Sequence, residues 1–205
     1  MNKSTMKFLA IAVGLLGAAQ AQAFDAKWDL GSGYAVGGDR LGSVSVNGSN
    51  INVNTNKGVA FSVGASITND DAKQFETVAS IGFKTGGPRA ENGTVAFTSL
   101  PLTLMQHYRP NDMRLGLGVS YNISPEYKQN IDGQNDNGSL SFDDALGLVA
   151  QLGWAPVAQK YSIDLRYTSI KYTANAAKFG NVNYNVSNLS KFDGSSIGIY
   201  SSIRF

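Results

Sequence analysis

The sequence has no cysteine in its 205 residues and one histidine, His107. Disulfides and thiolate metal sites are therefore excluded, and any chemistry that needs an imidazole has a single candidate. Net charge is also missing. Seventeen basic residues face fifteen acidic ones, and two of the basic residues, Lys3 and Lys7, lie in the first ten positions. The remainder balances at fifteen to fifteen, which gives no basic face for nucleic acid. Beyond residue 23 no apolar run approaches the length of a membrane helix. The mean hydropathy is slightly negative, at -0.14. An average of that kind does not exclude a membrane, because strands that turn alternate residues to a polar interior lower it. Alternation along the chain is the property to read.

Residues 1–23, MNKSTMKFLAIAVGLLGAAQAQA, combine Lys3 and Lys7 with an apolar stretch from Phe8 to Leu16. Ala21-Gln22-Ala23 supplies a small-x-small cleavage site. This is the pattern of a secretory signal peptide, and its apolar core is too short to span a bilayer. Residues 24–205 are expected to form one exported domain with no disulfide, although the compartment would allow one.

Eight segments then alternate apolar and polar residues with a period of two, as strands with unlike faces do. The first, 27–36, sets Trp28, Leu30, Tyr34 and Val36 against Asp29, Gly31 and Gly33. The second, 59–67, sets Val59, Phe61 and Val63 against Ser62, Gly64 and Ser66. The third opposes Phe75, Ile81 and Phe83 to Glu76, Ser80 and Lys84. The fourth, 95–108, opposes Leu100, Leu102, Leu104 and Tyr108 to Thr103, Met105 and His107. Leu115 to Ile123, Leu146 to Trp154 and Tyr161 to Tyr167 follow the same rule. The chain ends on SSIGIYSSIRF, with Ile197, Ile199, Ile203 and Phe205 on one face and Tyr200, Ser202 and Arg204 on the other.

Connections after the odd strands are long, about 38–57, 85–94, 124–141 and 173–191, and those after the even strands are short. Within the first long one, VSVNGSNINV reads as a hairpin with Val44 and Val46 facing Ile51 and Val53 across Asn47-Gly48. Even strand number with alternating long and short connections predicts an all-β fold, a closed eight-stranded antiparallel up-and-down transmembrane β-barrel with both ends periplasmic. Trp28, Phe75, Tyr108, Trp154, Tyr161 and Phe205 all fall near the periplasmic ends, as a membrane-interface girdle would. A soluble lipocalin-like barrel would put the apolar phase inside around a ligand. The other phase holds glycine, serine and charge, and the signal peptide, terminal Phe205 and girdle favour the membrane form.

The segment LPLTLMQHYRPNDMRLGLGVSYN resembles the strand–turn–strand of small eight-stranded outer-membrane barrels of the OmpX and OmpW type. YSIDLRYTSIKY and the SSIGIYSSIRF ending fit the same pattern. The resemblance implies an outer-membrane protein of a Gram-negative-type bacterium, in contact with outer-membrane lipids and lipopolysaccharide and monomeric. It also implies that the terminal strand, with its final Phe205, is read by the barrel-assembly machinery.

The inward phase carries Asp29, Glu76, His107, Arg109, Arg114, Asp164, Arg166 and Arg204, most of them toward the periplasmic half. Eight strands leave just enough interior for side chains to fill, and enclosed charges must pair or be solvated. A lumen polar network is expected, with Glu76 and Asp164 ringed by arginines as a plug. The leading functional expectation is a structural or surface-interaction barrel with that plugged lumen. A narrow channel for small solutes is the alternative, which the OmpW likeness would make apolar although the inner face is polar.

A lipid-modifying enzyme is the remote alternative. His107 is followed by Tyr108, so the His-Ser pair of lipid A deacylase barrels is absent, and no serine lies near it in sequence. Asp132 to Gly138 has some of a calcium loop's acids but lacks glycine at the sixth position. No catalytic residue, cofactor or metal is therefore expected.

Overall fold

The computed structural model describes residues 25–46, 49–68, 74–90, 93–131, 137–156, 160–180, 182–186 and 191–205. The expected signal peptide, Asn47-Gly48 and the acidic stretch 132–136 lie outside them. β1 (Asp25–Gly37) rises into the hairpin of β2 (Arg40–Val46) and β3 (Ser49–Asn54), and β4 (Gly58–Thr68) returns. β5 (Phe75–Gly86) leads through β6 (Arg89–Ala90) to β7 (Gly93–Tyr108). β8 (Met113–Ile131) is followed by β9 (Gly138–Phe142) and β10 (Ala145–Trp154). β11 (Tyr161–Ser169), β12 (Lys171–Phe179), β13 (Val182–Asn185), β14 (Lys191–Asp193) and β15 (Ser196–Arg204) complete the chain.

Eight of these strands close a barrel, in the wall order β1, β4, β5, β7, β8, β10, β11, β15. β15 pairs antiparallel with β1, from Asp29 opposite Arg204 to Gly37 opposite Ser196, so the wall has no open edge. The tight turn at Pro110 needs a left-handed residue, which Asn111 supplies at φ 58°. The Met113 amide donates to the Pro110 carbonyl across it at 3.2 Å.

The alternating phases now have directions. Leu117 is 71% exposed, Trp28 67% and Ile199 64%, whereas Glu76, Arg114 and Asp164 are each 3% exposed or less. An apolar belt runs round the outside and the polar phase is enclosed, which excludes the lipocalin-like arrangement. A surface of that size is stable only against an apolar solvent, as in a membrane.

Among the described residues the long connections are largely strand and not the loops that their Asn, Gly and Ser content suggests, and the first holds the expected hairpin. β8 runs on to Ile131, β9 pairs with it and with β12, and β13 and β14 both pair with β12. β7 begins at Gly93, and β6 pairs with its start. These extensions stand above one end of the barrel because they have an apolar face of their own to bury. The β2–β3 hairpin forms with Val44 opposite Ile51, but Val46 lies opposite Ser49 and Val53 opposite Gly42. Val53, 1% exposed and paired with Gly42, packs into that apolar face. Its cluster comprises Val53, Val95, Phe97, Phe142, Ala145, Ile170, Tyr172 and Ala174.

A bulge makes the transition from wall to extension. The register of β7 against β8 shifts between Thr98 and Leu100, where Ser124 has φ 47° and precedes the fully buried Pro125. Asp144 holds the kink: Oδ1 accepts from the Ser124 amide at 2.9 Å and Oδ2 from the Tyr121 hydroxyl at 3.1 Å. Such a bulge bends a strand and increases its twist.

Candidate functional site: a lumen closed in two layers

The register brings the expected lumen residues to one level near the rim that holds Asp25 and Arg204. Glu76 stands opposite His107, His107 opposite Gly116, Gly153 opposite both Arg114 and Asp164, and Asp29 opposite Arg204. The glycines make this possible. A Cβ on Gly153 would overlap the Asp164 carboxylate, and one on Gly116 would overlap the His107 ring. Charged residues faced by cross-strand glycine are therefore the sequence signal of this layer.

Glu76 is the hub. Its Oε1 lies 3.1 Å from Arg204 Nη1, and its Oε2 lies 3.4 Å from Arg114 Nε and 3.9 Å from Arg109 Nη1. Arg114 Nη1 reaches Asp164 Oδ2 at 3.3 Å and donates to Ser162 Oγ at 3.1 Å. Arg204 Nε stands 3.8 Å from Asp29 Oδ2. Ser162 Oγ donates to Asp164 Oδ2 and lies 2.9 Å from Ser202 Oγ. Three carboxylates thus meet three guanidiniums, a neutral floor across the barrel. In a low-dielectric interior, pairing of this kind offsets the desolvation of each ion.

His107 is 1% exposed, with Nδ1 3.4 Å from Arg114 Nη2. Among the described residues its Nε2 has no hydrogen-bond partner. A general base needs its proton donor within hydrogen-bond reach, and no serine hydroxyl is hydrogen-bonded to this ring among them. Arg109 lies at the lower edge, where Nη2 donates to the Ala155 carbonyl at 2.9 Å.

Arg166 departs from the expected ring. Its Nε donates to Gln151 Oε1 at 2.9 Å and its guanidinium lies 4.3 Å from the centre of the Tyr200 ring. It sits in a second zone, together with Lys84, whose Nζ donates to Asn56 Oδ1 at 2.7 Å. Both line a cavity of about 50 Å³. Lys84, Tyr200 and Gln151 all occur on the inward phase, but alternation alone does not separate them from other polar lumen positions.

The upper layer is apolar, and the alternation along the chain does not reveal it. Phe97 packs against Tyr172 and Phe142 with ring centres 5.6 and 6.0 Å apart, and Phe192 meets Phe142 at 5.5 Å. Asn122 ties this lid to the lumen by donating to the Tyr172 hydroxyl at 2.6 Å. The four rings come from β7, β9, β12 and β14, four strands that no local pattern connects.

The six girdle candidates are all exposed at the lower rim. Phe75 and Tyr108 are cross-strand neighbours with ring centres 5.3 Å apart, and Trp154 and Tyr161 make an edge contact at 5.7 Å. The Phe205 amide donates to the Trp28 carbonyl at 3.0 Å, which ties these two together across the closing seam.

No protein-family model matches the sequence. A search of curated proteins also finds no match. Solved structures do match. Ail, the attachment invasion locus protein of Yersinia pestis, is 14% identical over 88% of this chain and 97% of its own, with a TM-score of 0.49. Neisserial surface protein A is 9% identical over 88% and 97%, with a TM-score of 0.44. A major outer membrane protein from Thermus thermophilus is 12% identical over 88% and 100%, with a TM-score of 0.52. At these identities the Thermus likeness carries the fold and no more. The chain is a small eight-stranded β-barrel of the outer-membrane type.

Proposed function

We propose that this protein is an integral outer-membrane barrel of a Gram-negative-type bacterium, exported by its N-terminal signal peptide, whose lumen is sealed by side chains. Its role is structural and surface-interacting, carried by the strand-built extension above the barrel. The observation that supports the seal is the ion-paired floor centred on Glu76, with the Phe97–Phe142–Tyr172 lid stacked above it. A solute passing through would have to break several buried ion pairs and then part an aromatic cluster. The belt that includes Leu117, Leu148 and Ile199 meets outer-membrane lipids and lipopolysaccharide, and the girdle from Trp28 to Phe205 sits at the periplasmic interface. The assembly machinery takes up the chain through β15, and the barrel works as a monomer without catalysis.

A narrow channel is the second reading, favoured by the cavity between the two layers. Its lining mixes serine, threonine, lysine and arginine with Ala60, Phe61, Pro101 and Val149, and the two cations would favour a small hydrophilic solute over an apolar one. Planar-bilayer recording of the refolded protein tests the choice, with folding verified by a heat-modifiable gel shift. Silence is expected. Steady current that scales with salt would replace the sealed barrel with the channel.

A further inference from the structure

The formal charges described inside the barrel do not sum to zero. The floor matches Asp29, Glu76 and Asp164 with Arg109, Arg114 and Arg204, which leaves Lys84 and Arg166 without a carboxylate in contact among the described residues. Both line the same cavity, and none of the residues around it is acidic. Lys84 is 5% exposed and its hydrogen bond is to the neutral Asn56. Arg166 is clamped by Gln151 on one side and the Tyr200 face on the other, so its terminal N–H groups are oriented in advance. Enclosed cations with no counter-charge are unfavourable, because neutral amide partners and one ring face repay only part of their lost hydration.

We infer that this cavity is a binding site for a small inorganic monovalent anion, held between Lys84 and Arg166. Its size fits. A volume of about 50 Å³ accommodates a few water-sized spheres at roughly 10–15 Å³ apiece, hence one halide with a water or two. Ser62, Thr103, Ser120 and Tyr200 contribute hydroxyls that can turn to donate to an anion. Nothing in the lining would repel one. The lid rests on this chamber through Asn122, which lines the cavity and donates to Tyr172, and Lys84 is tied through Asn56 to the Gly194 carbonyl just before β15. The bound anion would therefore brace the lid and the closing seam together. This site rests on the sealed-lumen reading, because an open pore would solvate both cations.

The test refolds the whole mature barrel from urea into detergent micelles in sodium gluconate, chloride or bromide at equal ionic strength. Gluconate is too large for the chamber. Melting is followed by gel shift and circular dichroism, and crystals grown in bromide are measured for anomalous scattering. The expected result is a higher melting temperature in either halide than in gluconate, and a bromide peak between Lys84 and Arg166. Lys84→Met should remove the halide dependence, and Arg166→Gln should reduce it. Equal melting in all three salts with no internal peak would overturn the site, as would peaks confined to the surface. A halide effect kept in full by Lys84→Met would overturn it too. If a variant does not refold, the wild-type melting series and the anomalous map still decide. Conductance is read separately: current overturns the seal, while silence without a halide effect keeps the seal and removes the anion.

Discussion

Glu76 and Arg204 meet across the lumen at 3.1 Å, although two wall strands, β4 and β1, separate β5 from β15. The pair braces the barrel across its interior, next to the seam that joins the first strand to the last. Glu76 also faces Arg109 and Arg114, so Glu76→Gln leaves three guanidiniums short of one charge. Breaking a buried ion pair from one side costs about 3–5 kcal/mol. Urea unfolding of the refolded variant should show a loss of that order. Glu76→Gln combined with Arg204→Met should lose less than the sum of the two single changes; additive losses would show that the pair is not coupled.

The floor and the lid are barriers in series. Removing the floor with Glu76→Ala and Arg114→Ala should leave the barrel silent in a planar bilayer, because the aromatic lid still closes the upper end. Phe97→Ala alone should also be silent. All three changes together should give steady current, provided that the gel shift confirms a folded barrel. Current from either layer's removal alone would mean that the other layer is not a barrier.

Leu117 is the most exposed of the large apolar side chains in the described wall. Leu117→Lys puts a charge on the belt and should destabilise refolding into lipid vesicles by about 2–4 kcal/mol if the position lies at the midplane. An unchanged stability in vesicles would contradict lipid contact at this face.

Asp193 stands in the extension above the wall, where Oδ1 accepts from the Ser195 amide at 2.9 Å. Hydrogen bonds from Ser195, side chain first and then backbone, hold its carboxyl below the usual Asp range. The same residue joins Asp39, whose Oδ2 accepts from the Asp193 amide and whose own amide donates to the Asp193 carbonyl, both at 2.7 Å. A carboxyl depressed on folding contributes stability above its unfolded pKa and loses it as pH falls through the folded value. Being exposed, Asp193 contributes little. An NMR titration of the Ser195 amide should therefore give a midpoint below that of an ordinary Asp, and Asp193→Asn should abolish it. A midpoint at the ordinary value would refute the Ser195 bond.

Much of this molecule is visible along the chain. Trp28 to Val36 and Ile197 to Phe205 announce their strands because a period of two, repeated over one membrane thickness, is what a strand between two unlike media requires. The same alternation placed Glu76, Arg114, Asp164 and Arg204 on one phase, since a strand fixes the side of every residue once one is known. It did not decide which phase pointed inward; the observed exposures did. Nor did it separate Arg166 from the floor, because register across strands, and not spacing within one, decides that Arg166 meets Gln151 and Tyr200. The lid was hidden for the same reason. Val53, Phe97 and Tyr172 each continue a short apolar alternation (with Ile51, Val95 and Ile170), but they and Phe142 belong to different strands and no local pattern shows that they meet. Local pattern determined the wall, because a wall residue's environment depends on its own strand. Only the closed tertiary structure decided the contents of the lumen, because those contacts run across the barrel between strands that no local period connects.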